Sequence, residues 1–139
     1  MPVDAARGRL NLEPGWGEIA ASHYIPGVSD HPRAFVMADI AGSSRFWNRE
    51  QVAMSVALAR HDEISARSVG GHGGELFKHT GDGFLAHFDT VAAAMAAMAD
   101  YVTALHDESW PEPIEIQSRV GIHWGVAEAR DGDWFGSTI

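Results

Sequence analysis

The sequence predicts an α+β domain whose elements follow the split βαβ order. Three observations predict it: a short apolar run at residues 34–40, a hairpin around Gly81-Asp82-Gly83, and two segments of helical periodicity that separate these strands. The resulting order is strand, helix, strand, strand, helix, strand. In ferredoxin-like folds, which have this order, the first and third strands lie side by side at the centre of the sheet.

Composition narrows the class of protein. The chain has 139 residues, enough for one domain with a core, and its net charge of -9 argues against a nucleic-acid surface. It has no cysteine, which excludes disulfides and thiolate zinc sites, and its eight histidines show no repeated ligand spacing. The longest apolar run, residues 91–99, is far shorter than the ~20 residues of a membrane span, and no secretory pattern opens the sequence. We therefore expect a cytoplasmic protein without a membrane partner.

The first part of the chain is an expected arm followed by a strand and a helix. Residues 1–33 mix Gly, Pro and charge, which predicts an N-terminal arm or linker before a domain at residues 34–139, and the pattern allows a short helix near residues 18–23. The run at 34–40 suits a strand buried on both faces. One long helix is expected at residues 45–69, with Ser43 or Ser44 as its N-cap. Its expected core stripe consists of Phe46, Trp47, Ala53, Met54, Ala57, Leu58 and Ile64.

The second half of the chain repeats the strand and helix pattern. Hairpin strands are expected at residues 75–80 and 84–88, because Asp and Gly at the tip tolerate positive φ. Asp89 or Thr90 should cap a second helix that ends near residue 106. Its expected core stripe consists of Val91, Ala94, Met95, Met98, Val102 and Leu105. A long strand at 114–124, a short strand at 126–129 and a helix start at 136–139 complete the prediction.

Two aspartates stand at strand ends. Asp39 ends the first apolar strand, just before a turn that contains Gly42, and Asp82 stands at the hairpin tip. The split βαβ order brings both ends together. Two carboxylates beside a glycine turn that opens a helix suit a divalent metal ion and a polyphosphate.

Four segments resemble the class III adenylyl and guanylyl cyclase domains. They are FVMADIAGSS at 35–44, HGGELFKHTGDGF at 72–84, RVGIHWG at 119–125 and DWFG at 133–136. Each motif alone is weak, but four in the right order and spacing are specific. The resemblance covers residues 34–139 and implies a ferredoxin-like sandwich of the nucleotide cyclase type.

The resemblance also implies roles for single residues. Asp39 and Asp82, with the backbone carbonyl of Ile40, would hold two Mg²⁺ or Mn²⁺ ions. One ion would activate the ribose 3′-hydroxyl and the other would bind the triphosphate. The backbone around Gly42, Ser43 and Ser44 would contact phosphate oxygens.

The remaining implied roles concern the base and the partner. Lys78 would donate to the base and Asp133 would accept from an exocyclic amine. In the family this Lys and Asp pair favours adenine, so the expected reaction converts ATP to cyclic AMP and pyrophosphate. Active sites in the family form between two catalytic domains, which implies a homodimer or a heterodimer.

One departure leaves two functions open. In the family the last motif leads into a helix with a catalytic Asn and Arg, and the sequence ends at Ile139, before them. The expected domain is therefore C-terminally incomplete and at best a weak cyclase on its own. The alternative is an inactive or regulatory cyclase-like module that binds metal and nucleotide or pairs with another cyclase chain. A diguanylate cyclase relative is disfavoured because its Gly-Gly-Asp/Glu-Glu-Phe signature is absent.

Overall fold

A computed structural model of the chain describes residues 3–4, 9–10, 31–131 and 133–135. The strands are β1 (Val3–Asp4), β2 (Arg9–Leu10), β3 (Arg33–Ile40), β4 (Glu75–His79), β5 (Gly83–Phe88), β6 (Ser118–Gly125), β7 (Glu128–Arg130) and β8 (Asp133–Phe135). The helices are α1 (Ser43–Arg49), α2 (Gln51–Gly70) and α3 (Val91–Asp107). The helix considered at 18–23 and the helix start at 136–139 lie outside the described residues. The division at residue 33 stays a prediction.

The central sheet confirms the predicted fold class. Its four strands run in the order β4-β5-β3-β6, and every neighbouring pair is antiparallel. β3 and β5, the first and third strands of the split βαβ unit, are neighbours as expected. Two smaller sheets pair β1 with β2 and β7 with β8. None of the helices in the described part of the chain has the length and apolar content needed to cross a membrane.

One face of the sheet carries the core. Alternate residues of β3 are buried against α2 and α3, as shown by Ala34, Val36, Ala38 and Ile40, each at most 1 % exposed. The opposite face is partly open, because Met37 is 55 % exposed. The prediction that β3 is buried on both faces therefore holds at Phe35, which is 5 % exposed, and is wrong at Met37. Among the residues that the structure describes, the helices cover one side of the sheet only, and we call the other side the helix-free face.

The expected long helix is two helices. The chain breaks at Glu50, whose φ of -134° and ψ of 55° are not helical. The expected serine cap is also wrong, since Gly42 precedes α1 in a left-handed conformation and no side chain caps the helix. The core stripe of α2 is confirmed, with Met54, Ala57 and Ile64 buried.

The second helix is confirmed in extent, but its buried stripe is rotated. The Thr90 hydroxyl caps α3 by accepting from the backbone N–H of Ala93 at 3.1 Å. Ala94, Met98 and Leu105 are buried as predicted. Three residues of the predicted stripe are exposed instead, namely Val91, Met95 and Val102. Ala97 and Tyr101 take their place in the core, and Tyr101 packs edge-to-face on Phe84 of β5. This aromatic contact fixes the helix face.

The strand predicted at 114–124 begins four residues later in the structure, at Ser118. β6 begins at Ser118, which pairs with Ile40, the last residue of β3. Because β3 ends at Ile40, residues before Ser118 have no residue of β3 to pair with, and Ile114 and Ile116 are buried in an irregular segment instead. The short strand predicted near 126–129 is present as β7.

Two histidines lie inside the fold. His61 on α2 is fully buried, with its Nε2 2.6 Å from the Tyr101 hydroxyl and its Nδ1 3.2 Å from Asp62. His87 on β5 is 7 % exposed and lies beside Glu75. Burial lowers the pKa of both imidazoles. Both are thus structural residues, as the sequence predicts for histidines in this chain.

These two histidines should make the domain less stable in mild acid. Their folded-state pKa values lie below the ordinary value of 6.5. The unfolded chain therefore binds more protons as pH falls through that range. Stability should be fully present above about pH 6.5 and decrease below it. Urea unfolding at pH 7.5 and 5.5, with an NMR titration of the two imidazoles, checks this. An increase in stability at pH 5.5 would contradict it.

Candidate functional site

Asp39 and Asp82 lie at neighbouring strand ends. Asp39 is the penultimate residue of β3 and pairs in register with Gly83, the first residue of β5. Asp82 directly precedes Gly83, and its carbonyl accepts from the backbone N–H of Ile40 at 2.8 Å. The hairpin tip is thereby fixed to the end of β3. The strand order thus places two aspartates that are distant in sequence at neighbouring strand ends.

A serine holds the Asp82 carboxylate. The Ser43 hydroxyl donates to Asp82 Oδ2 at 2.7 Å, and Ser43 is 8 % exposed. The turn before it depends on Gly42, whose φ of 67° favours glycine. Ser43 is therefore an orienting residue for Asp82 rather than a helix cap. Ser44, also predicted for the site, is exposed at the start of α1.

Arg119 holds the Asp39 carboxylate through both oxygens. Its Nε donates to Oδ1 at 2.9 Å and its Nη2 to Oδ2 at 2.7 Å. The hydrogen bonds to Asp39, with the charges of Asp39 and Asp82, raise the pKa of the guanidinium. Sequence reasoning did not place Arg119 in the site. The alternation of β6 could have done so, because Arg119 pairs in register with Asp39 and therefore shares its face of the sheet.

The donor atoms suit a hard divalent ion. No group of three or more His, Cys, Asp or Glu that could hold a metal occurs among the residues that the structure describes. The available ligands are the carboxylates of Asp39 and Asp82 and backbone carbonyls such as that of Ile40. Oxygen donors of this kind are those that Mg²⁺ and Mn²⁺ prefer. The residues present therefore fit such an ion, provided that Asp39 exchanges Arg119 for it.

Lys78 and Asp133 form a second charged pair. Lys78 Nζ lies 2.9 Å from Asp133 Oδ2, and the two side chains are 49 % and 26 % exposed. The Trp134 backbone N–H donates to the other carboxylate oxygen at 2.8 Å. Lys78, and then the Trp134 amide, lower the pKa of Asp133. The pair is thus a fixed donor and acceptor set, with Asp133 held as a carboxylate.

Aromatic packing places this second pair on the helix-free face. The Trp134 ring lies 5.3 Å from Phe35 and 5.0 Å from His87, both on that face. Lys78 pairs in register with Leu85 of β5, across a bulge in β4. The Lys78–Asp133 pair therefore lies on the same face of the sheet as the Asp39–Arg119 pair. Within residues 31–131 and 133–135, no hydrogen bond or ion pair joins the Lys78–Asp133 pair to Asp39 or Asp82.

An apolar cavity opens on the same face. It has a volume of about 200 Å³. Its lining includes Phe35, Met37, Phe77, Leu85 and Gly121. Phe77 and Leu85 adjoin Lys78, in sequence and in register respectively. The face thus combines an acidic end, an apolar middle and the Lys78–Asp133 pair.

Comparison with known proteins finds curated relatives that are named adenylate cyclases. No family model matches the chain. An adenylate cyclase from Streptomyces coelicolor is 36 % identical over 133 residues, which cover 94 % of this chain and 34 % of that protein. A putative adenylate cyclase from Rhizobium meliloti is 34 % identical over 109 residues, covering 76 % of this chain and 19 % of that protein. The chain thus spans about a third or less of these curated relatives.

Solved structures give the same picture. An adenylate/guanylate cyclase/hydrolase from Silicibacter pomeroyi is 34 % identical, with a TM-score of 0.65, and the match covers 78 % of this chain and 64 % of that one. An adenylate cyclase from Trypanosoma brucei, solved in its monomeric state, has a TM-score of 0.72 at 18 % identity, over 78 % of this chain and 65 % of that one. At 18 % identity, the similarity to the Trypanosoma brucei structure supports the fold alone.

Proposed function

The chain belongs to the class III adenylyl/guanylyl cyclase domains, and from this premise we propose that it is an adenylate cyclase catalytic domain that converts ATP to cyclic AMP and pyrophosphate. The observation that carries the proposal is the position of Asp39 and Asp82 at adjoining strand ends. Phosphoryl transfer depends mainly on positioned charge, and two carboxylates are the protein groups that position divalent ions.

In this proposal Asp39, Asp82 and the Ile40 carbonyl hold Mg²⁺ or Mn²⁺. Bound ions of this kind activate the ribose 3′-hydroxyl and neutralise charge on the triphosphate. Ser43 keeps the Asp82 carboxylate in one orientation through its 2.7 Å hydrogen bond. The backbone N–H groups around Gly42 and Ser44 face the phosphates at the start of α1.

Lys78 and Asp133 recognise the base. The ammonium group of Lys78 donates to a ring nitrogen of adenine, and the Asp133 carboxylate accepts from the exocyclic amine. Their mutual ion pair at 2.9 Å fixes both groups before the nucleotide arrives, which reduces the ordering cost of binding. The cavity beside them, lined by Phe77 and Leu85, offers an apolar surface to the ring.

The site is completed by a second cyclase domain, in a homodimer or a heterodimer. Two features support this part of the proposal. The metal end and the base end of this chain are separate groups on one open face, so each can serve a different site across the dimer. The face between them also exposes apolar surface, with Met37 55 % exposed.

The alternative is a regulatory domain that binds metal or nucleotide without turnover. The ion pair that engages both Asp39 oxygens favours a domain without turnover, because a carboxylate held in this way does not coordinate the metal ion that catalysis needs. Cyclic AMP formation by a reconstituted pair of domains separates the two functions.

Nucleotide binding should prefer adenine over guanine. Competition between Mn·ATP and Mn·GTP analogues measures the preference. Lys78→Glu should weaken binding of the ATP analogue by about tenfold or more and remove the preference, because it deletes a charged donor and repels Asp133. Arg67→Glu makes the same charge change on an exposed residue of α2 and is the matched control. It should leave both the affinity for the ATP analogue and the adenine preference unchanged. Equal affinity for both nucleotides in the wild type, or a GTP preference that Lys78→Glu leaves unaltered, would contradict the assignment.

A further inference from the structure

The two site carboxylates are held in different ways. Asp82 is engaged at one oxygen, Oδ2, by the neutral hydroxyl of Ser43. Asp39 is engaged at both oxygens by a cation, the Arg119 guanidinium. A hydroxyl donor and a metal ion can share one carboxylate. A bidentate guanidinium and a metal ion compete for the same lone pairs, and they also repel each other.

Arg119 lies at the protein surface. Its side chain is 74 % exposed, whereas that of Asp39 is 38 % exposed. Releasing the guanidinium into water therefore leaves no buried group unpaired. The pair forms between neighbouring strands, since Arg119 and Asp39 are register partners in β6 and β3. The sheet itself keeps the arginine within reach of the carboxylate after release.

We propose that Arg119 is an internal counter-ion that occupies Asp39 in the metal-free domain and must leave before Asp39 binds a divalent ion. The inference rests on the proposed function, because it takes Asp39 as a metal ligand. It makes Arg119 a positioning residue that sets the metal affinity of the site. The domain thereby keeps its acidic end compensated when no ion is bound, and ion entry requires an exchange of cations at Asp39.

The test measures Mn²⁺ binding without nucleotide, by electron paramagnetic resonance and calorimetry. Arg119→Gln should bind Mn²⁺ about fivefold more tightly than the wild type, the effect expected for removal of an exposed ion pair. Arg119→Lys keeps the charge but not the two-point contact, so its Mn²⁺ affinity should lie between those of the wild type and Arg119→Gln. Arg33→Gln removes the same charge from the far end of β3, where Arg33 pairs with Asp89, and should change binding by less than about twofold.

The outcomes separate this inference from the proposed function. Unchanged Mn²⁺ affinity in Arg119→Gln overturns the counter-ion role, even where Asp39→Asn weakens Mn²⁺ binding and so supports the metal site. An equal gain in Arg33→Gln also overturns it, because the effect would then be general electrostatics. Absence of Mn²⁺ binding by every variant, with and without ATP, overturns both. Thermal unfolding in EDTA verifies that the surface variants are folded.

Discussion

Asp39→Ala is expected to abolish cyclic AMP formation in a two-domain complementation assay. This chain is mixed with a full-length cyclase domain whose own metal aspartates are replaced by alanine. Cyclic AMP should appear in the mixture and in neither protein alone. Asp39→Ala should lower the rate by about 10³-fold or more, because one of two metal carboxylates is lost and charge in the transition state is left uncompensated.

The matched control is Asp100→Ala, which removes an exposed aspartate from α3, where it pairs with His72. It should retain the activity of the mixture. Activity that survives Asp39→Ala would contradict the proposed metal site. A mixture that binds nucleotide but forms no cyclic AMP would favour the regulatory alternative. Robust activity from this chain alone would show that a homodimer completes the site and that a different cyclase domain is not needed.

Strand order and hydrophobic periodicity were enough to predict the central sheet. The run at residues 34–40 and the hairpin tip at Asp82 define strands whose pairing follows from the split βαβ order. The neighbourhood of Asp39 and Asp82 follows from the same order. The strand pairing and the neighbourhood of the two aspartates could be predicted because both depend on local sequence pattern and on a rule of topology. Neither prediction requires the position of a side chain.

Features that depend on tertiary packing escaped prediction. The buried face of α3 is set by Tyr101, which packs on Phe84 and lies 2.6 Å from His61, and helical periodicity alone does not reveal these contacts. The ion pair between Arg119 and Asp39 depends on strand register across 80 positions of sequence. Register of this kind is fixed by the whole buried face rather than by any one motif.

Gly83→Ala should destabilise the domain and distort the site together. Gly83 begins β5 opposite Asp39. A Cβ at this position would collide with the backbone carbonyl oxygen of Ala38 and lie 2.9 Å from the Asp39 Cα. Backbone atoms in the middle of a sheet cannot move away as a flexible side chain does. We expect a loss of about 3 kcal/mol or more in the free energy of unfolding.

The control for this variant is Gly121→Ala on the other neighbour of β3. Gly121 pairs with Met37. Within the described part of the chain, a Cβ added to Gly121 would meet no atom within 4 Å apart from its chain neighbours, so the change should cost less than about 0.5 kcal/mol. Urea unfolding measures both variants, and Mn²⁺ titration of the folded fraction reports on the site. Because Gly83 directly follows Asp82 and is the register partner of Asp39, the folded fraction of Gly83→Ala should also bind Mn²⁺ more weakly. Wild-type stability in Gly83→Ala would mean that β5 does not approach β3 this closely, and the proposed proximity of the two carboxylates would fail with it.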